Sequence, residues 1–447
     1  MNKATLLVFA FLICLSCKKN EQKASLKKEP QTVNPISEID SLLRSYEKNG
    51  TFMGSIALSE KGKTIYSKTI GFSNIEANTK ADENTKYRIG SISKTYTAAL
   101  VLKAVEEGKI TLDETIDKYT PSIKNSSKIT IAHLLQHRSG IHNFTKDKSF
   151  FEYRTEYKSP EEMLALIATY DSDFEPNTKG DYSNSNYFLL AYILEKVYNE
   201  TYNELLQEKI CTPLGLKNTY ERKKIDSSKN EAHSYSFAEG KTKFPETNLS
   251  ITLGSGSIVS TAKEVNQFIT ALLTSKLLSD KSIALMKTIK DNYGMGLYRY
   301  KITDRHGLGH RGHIDEFRAT AIYFPKEQVT LTAITNGSSI DINDLFLAIL
   351  KRYFKDAPVE ISETELEKFA GTYVYEKDAT DKAVFVRDHT TLVHIIKGEF
   401  KSPLVYKGNN RFVMEQMYAE SISFIFSADG SELSFVQGDF KGKYTKE

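Results

Sequence analysis

The chain has 447 residues, 40% of them hydrophobic and 26% charged, and a formal net charge of +3. At that length it exceeds one ordinary domain of roughly 100–200 residues, and its composition excludes both a disordered chain and a multi-span membrane protein. Near-balanced charge gives no case for a nucleic-acid partner. Nine His and three Cys show no metal-ligand spacing, so neither a metal nor a cofactor is expected.

Lys3 and an unbroken apolar run over residues 6–15 open the chain. The run is too short to span a bilayer, which needs about 20 apolar residues, and reads as a signal-peptide core over residues 1–17. Leu15-Ser16-Cys17 resembles the end of a bacterial lipobox, which implies acylation of Cys17, although Cys14 stands where Leu is usual. The alternative is an ordinary cleaved signal. Residues 18–35 are polar and Lys-rich, the composition of a flexible tether. The expected location is the bacterial cell envelope, lipid-anchored and facing the periplasm, with the outer membrane preferred over the inner. Cys211 is then left alone and without a disulfide.

Residues 36–48 place Ile39, Leu42, Leu43 and Tyr46 on one helix face and stop at Asn49-Gly50. Two strand-like runs, 53–59 and 64–71, flank a turn at 60–63. Residues 91–285 read as mostly helical with polar loops. Strands return at 317–324 and 329–335, followed by a helix over 341–354. The expected fold of 36–357 is α/β (α+β): an antiparallel sheet built from both ends, flanked by helices, with an all-helical insert. From 358 to 447 short alternating segments punctuated at Asp381, Gly398, Gly408 and Asp429-Gly430 predict a small all-β, barrel-like domain.

Ser91-Ile92-Ser93-Lys94 opens an apolar segment that ends at Gly108. Spacing of i,i+3 puts Ser91 and Lys94 on one helix face, and a desolvated Lys can lose its proton to become the base for a Ser nucleophile. The pattern also occurs elsewhere, as at Ser16, Ser25 and Ser260, the last readable as a helix cap. Tyr182-Ser183-Asn184 is the only Tyr-x-Asn, and His310-Arg311-Gly312 the only His-x-Gly, here placed just before the returning strands.

In that order the motifs resemble those of the serine β-lactamase and penicillin-binding DD-peptidase superfamily, class C–like branch. The resemblance covers about 36–354 and includes YRIGSISKTYT (87–97), LLQHRSGI (134–141), CTPLGL (211–216), GSGSIVSTA (254–262) and YGMGL (293–297). The C-terminal segment resembles the lipocalin-like appendage of some members. The family implies an acyl-enzyme on Ser91, with Lys94 and Tyr182 sharing the base role. It further implies an oxyanion hole from the N–H groups of Ser91 and His313, and Asn184 bonded to substrate or a catalytic side chain. His310 takes the place of the usual Lys and orients Tyr182. Gly312 belongs to the same strand, and Arg311 with His313 is a candidate anion site. The expected substrate is a small molecule or peptide of the envelope, cell-wall peptide included. D-Ala-D-Ala carboxypeptidase or D-amino-acid peptidase activity leads; a small-ester esterase, a β-lactamase and a non-catalytic ligand-binding or sensory protein are the alternatives. Absence of Lys-Ser/Thr-Gly removes the cation that holds a β-lactam carboxylate, and Glu316 stands where the family commonly has Gly. His137 reads as structural. No Gly-x-Ser-x-Gly elbow supports an α/β-hydrolase.

Overall fold

The computed structural model describes residues 34–238, 240–302, 305–355, 359–396, 400–414 and 421–447. Cys17, the signal segment, the tether up to residue 33 and Gly398 lie outside them.

Helix α1 (Pro35–Asn49) buries Ile39 and Leu43 and carries Glu38 in its first turn and Lys48 in its last, as the helix dipole favours. Strands β1 (Phe52–Glu60) and β2 (Lys63–Ile70) pair through a two-residue turn. Lys61 and Gly62 both have positive φ there (50° and 78°), the geometry that matches strand twist in a tight hairpin. The central region supplies α2 (Ser93–Glu106), α3 (Asn184–Tyr198) and α4 (Ala262–Leu273). This insert is not all helix: Tyr87–Arg88, Ile258–Ser260 and Tyr220–Glu221 form a three-stranded sheet. Thr261, not Ser260, caps α4 by accepting the Glu264 N–H, so this Ser-x-x-Lys is a helix start.

Strands β3 (Tyr298–Ile302), β4 (Arg305–Ile314), β5 (Phe317–Phe324) and β6 (Val329–Ser338) and helix α5 (Ile342–Phe354) complete the layer. The sheet order is β3-β4-β5-β6-β1-β2, every neighbour antiparallel, and the β1–β6 pairing joins the two ends of this region. Strands β3 and β4 were not legible in the sequence. His310 therefore sits within β4 and not ahead of the returning strands. Alternation divides the sheet into two faces. Ile56, Leu58, Ile322, Phe324 and Leu331 pack in one apolar cluster with the buried side chains of α1 and α5. Ala57, Ala319 and Ala321 belong to the cluster that contains Phe268 and Ile269 of α4, where small side chains let a helix lie close.

A third cluster is drawn wholly from residues 366–444. Helix α6 (Glu363–Phe369), capped by Ser362, leads into a nine-stranded antiparallel sheet. The expected all-β reading thus lacked a helix, and Asp381 is not punctuation but lies inside the strand Asp378–Asp388. The sheet's two terminal strands, Phe400–Pro403 and Val405–Tyr406, are separated only by Leu404 in sequence, which leaves a nearly closed barrel. Leu366, Phe369, Tyr373, Phe385, Phe424 and Phe426 fill its interior.

Candidate active site

Ser91 occupies a 3-10 turn (Gly90–Ile92) that enters α2 directly from the strand Tyr87–Arg88. Two glycines let β4 approach this turn. Gly90 has φ 51°, and a Cβ there would lie 2.7 Å from the His313 nitrogen. A Cβ on Gly312 would lie 1.9 Å from the Ile89 carbonyl oxygen and 3.2 Å from the Ser91 nitrogen. No side chain fits between the two backbones, which brings the nitrogens of Ser91 and His313 to one narrow contact. That is the pairing an oxyanion hole requires.

The approach is pinned by one carboxylate. Asp315, at the β4–β5 turn with φ 52°, has a fully buried side chain. It accepts hydrogen bonds from Arg88 (2.9 Å), Arg154 (3.0 Å) and the Thr247 hydroxyl (2.7 Å). Arg88, 2% exposed, also reaches Glu246 at 3.1 Å. The residue three before the nucleophile is thereby tied to the residue three after Gly312.

Lys94 is fully buried one helical turn beyond Ser91. Its Nζ lies 2.7 Å from Asn184 Oδ1, 2.7 Å from the Ser255 carbonyl oxygen and 3.1 Å from Ser91 Oγ. Burial without a counter-carboxylate lowers its pKa well below the usual lysine range. The orientation of Asn184 is fixed because its Nδ2 donates to Thr145 Oγ1 (2.8 Å) and to Asn143 Oδ1 (3.3 Å). A neutral amine has two protons, and two of its three neighbours can only accept. The lone pair is left for the Ser91 hydroxyl.

The Tyr182 side chain lines the same cavity as Ser91, and burial raises its pKa above the normal tyrosine value. Burial therefore pushes the pair toward amine and phenol, with the basic lone pair on Lys94 and a transferable proton on Tyr182. His310, 3% exposed, has its ring centroid 6.5 Å from that of Tyr182 and 4.9 Å from that of Tyr298. Its Nδ1–H donates to the Arg311 carbonyl at 2.6 Å, which leaves Nε2 as an acceptor. Burial, with Lys94 and Arg311 adding to it, lowers its pKa to about 3. It is a neutral imidazole, not a substitute for a lysine cation.

A cavity of about 570 Å³ opens from Ser91 and Tyr182 along His310, Arg311, His313, Glu316 and Arg318. Arg311 is exposed at its wall. The anion site expected from Arg311 and His313 is only half formed, because the His313 Nε2 turns back to the Asp315 carbonyl at 3.0 Å. Glu316 lines the cavity and faces Arg318 at 3.5 Å. Cys211 is buried and unpaired, its thiol raised to about 12 by burial.

Sequence reasoning missed Ser255, which holds Lys94 through its backbone carbonyl, although the block 254–262 was visible as a motif. It also missed Asn143 and Thr145, and the Arg88–Asp315–Arg154 network. Their signal is spatial: the partners of Asp315 are 227 and 161 residues away in sequence.

Residues 39–348 match the family model described as Beta-lactamase. A teichoic acid D-alanine hydrolase of Staphylococcus aureus is 27% identical over 342 residues, covering 75% of this chain and 83% of that protein. A D-stereospecific amidohydrolase from Streptomyces sp. aligns with TM-score 0.62 and 24% identity over 72% of this chain and 99% of its own. The octameric penicillin-binding protein homologue from Pyrococcus abyssi aligns with TM-score 0.63 and 22% identity over 91% and 99%. That likeness in fold reaches past the family-model region.

Two measurements check the electrostatics. Asp315→Asn takes the shared carboxylate from half-buried Arg154 and leaves buried Arg88 with Glu246, so urea unfolding should show a loss of about 3 kcal/mol; a loss within experimental error would refute the pin. His310 stays neutral in the fold down to about 3, whereas an unfolded histidine takes a proton near 6.5. Between those values the unfolded state binds more protons, so stability rises with pH there and falls as pH drops below 6.5. His310→Asn should therefore lose less stability than wild type between pH 7 and pH 4. Parallel pH–stability curves for the two proteins would show that the ring is not held neutral.

Proposed function

Since residues 39–348 make this chain a member of the beta-lactamase family, we propose that it removes D-amino-acyl groups from amines or alcohols of the cell envelope through an acyl-enzyme on Ser91. It is a serine hydrolase of the β-lactamase and penicillin-binding superfamily; the proposal concerns the bond it cuts and the residues that cut it. The observation that carries the reading is Lys94, whose two acceptor-only neighbours aim its lone pair at the Ser91 hydroxyl.

In the cycle, Lys94 takes the Ser91 proton as Oγ bonds to the carbonyl carbon. The negative oxygen is held between the N–H groups of Ser91 and His313. Tyr182 gives its proton to the departing nitrogen or oxygen and is reprotonated from Lys94. Water then attacks the ester by the reverse relay, releasing the acid and restoring Ser91–OH. His310, neutral and with an open Nε2, serves as an acceptor beside Tyr182.

The choice of D-amino-acyl groups follows the relatives, one named for D-alanine on teichoic acid and one for D-stereospecific amide hydrolysis. D-Ala-D-Ala peptides, D-amino-acid amides and D-alanyl esters all belong to that class. β-Lactams rank lower because neutral His310 supplies no cation for their carboxylate, and the acid Glu316 lines the cavity. An envelope address belongs to the same reading, with Cys17 as the acylated residue.

A fluorophosphonate probe should label wild type at Ser91, and Ser91→Ala should abolish both labelling and hydrolysis. D-alanine amide or a D-alanyl ester should be turned over at least about tenfold faster than the L-isomer, a difference of about 1.4 kcal/mol in transition-state binding. Equal rates on both enantiomers would point to a general small-ester esterase. Metabolic labelling with an alkynyl fatty acid in a bacterial host should mark the full chain and spare Cys17→Ser; equal labelling of both would remove the anchor.

A further inference from the structure

His137 lies in the block 134–141 and enters no step of the cycle above. It is 3% exposed and has φ 56°, a left-handed conformation uncommon outside Gly, Asn, Asp and His. Strain of that kind persists where surrounding bonds hold it in place. Its own N–H donates to the Leu134 carbonyl at 3.2 Å and Asn186 Nδ2 lies 3.4 Å from its Nδ1, but the other bonds are made to one short segment. The His137 carbonyl accepts the Asp181 N–H at 2.9 Å. Its ring Nδ1 accepts the Ser183 N–H at 3.1 Å. Between those two anchors its ring packs on the Tyr182 ring, centroids 4.5 Å apart and planes at 36°.

The next residues extend the same seam. The Arg138 carbonyl accepts the Asn177 N–H at 2.7 Å, and the Gly140 carbonyl accepts the Asp173 N–H at 2.8 Å. Ser139 Oγ donates to Asn186 Oδ1 at 2.6 Å. Residues 137–140 are thus a template along which the loop carrying Tyr182 is laid. Tyr187 and Tyr293 close the ring of His137 from other sides at 5.2 and 5.1 Å.

We propose that His137 is the positioning residue of Tyr182: it clamps the peptides on both sides of the tyrosine and fixes its ring so that the phenol meets Ser91. The site asks three things of the residue. It must tolerate positive φ, offer a side-chain acceptor to a backbone N–H, and present a flat aromatic face to Tyr182. Phe meets only the last, and Asn only the first two. Since Nδ1 accepts, the ring proton sits on Nε2, and the side chain acts as an uncharged wedge. It touches no reacting atom.

The inference rests on the proposed role of Tyr182, and the test separates the two. Full-length wild type, Tyr182→Phe, His137→Phe, His137→Asn and the two double variants are assayed on D-alanine p-nitroanilide, each first shown to be folded by its thermal melt. His137→Phe should lower kcat/KM by about 10²-fold, the usual cost of a misplaced catalytic group, mostly in kcat. His137→Asn, which keeps the acceptor and the backbone conformation, should recover part of that loss and stands in if the Phe variant does not fold. In the Tyr182→Phe background neither His137 change should cost a further twofold, because nothing is left to position. The same loss with and without Tyr182, or a change confined to KM, overturns the positioning role. If Tyr182→Phe by itself is fully active, it is the base assignment that has failed.

Discussion

The molecule turns on the contact between two stretches of backbone, β4 at Gly312–His313 and the turn Ile89–Ser91. Gly90 and Gly312 are required there because any Cβ would meet main-chain atoms at 1.9–2.7 Å. Asp315 supplies the lock, joining the β4–β5 turn to Arg88 and Arg154 inside a site from which its own side chain has no exposure. A buried ionic lock gives little net stability, since desolvation consumes most of the Coulomb gain. What it gives is register. With the strand one residue out of place, Ser91 and His313 would no longer share a cleft.

Burial does further work on the charges in that cleft. Lys94, His310 and His137 are pushed toward their neutral forms, and Tyr182 toward the phenol. Burial thus works against charge on these groups at rest, so the oxyanion that forms during acylation is a large local electrostatic change. Fixed dipoles act most strongly on such a charge in a medium of low polarity. A lysine cation in place of His310 would alter that balance, attracting anionic substrates and raising the cost of protonating Lys94 nearby.

The catalytic triplets were legible because each is local: Ser91 and Lys94 share one turn of helix, and Asn184 begins the helix that follows Tyr182. The sheet ends were legible too, since runs such as 317–324 and 329–335 are rich in Ile, Thr and Ala. Strand β4 was not. Its sequence, RHGLGHRGHI, has three glycines and three histidines and no apolar alternation, because its glycines serve close approach and its histidines serve the site. Asp381 misled for a related reason: an acid in an exposed stretch of a long strand carries no burial signal. The partners of Lys94, 90 and 161 residues away, have no signature in linear spacing at all.

His137 lies between these cases. Its block was visible, and its placement as structural follows from a turn motif alone. The geometry shows why a turn should need histidine when asparagine tolerates the backbone equally well. The ring must accept one N–H and face one aromatic, and both belong to residues 182–183. A motif conspicuous in sequence but without a reacting atom is then best explained by what it holds: here, residues 181–183, at whose centre Tyr182 lines the cavity beside Ser91.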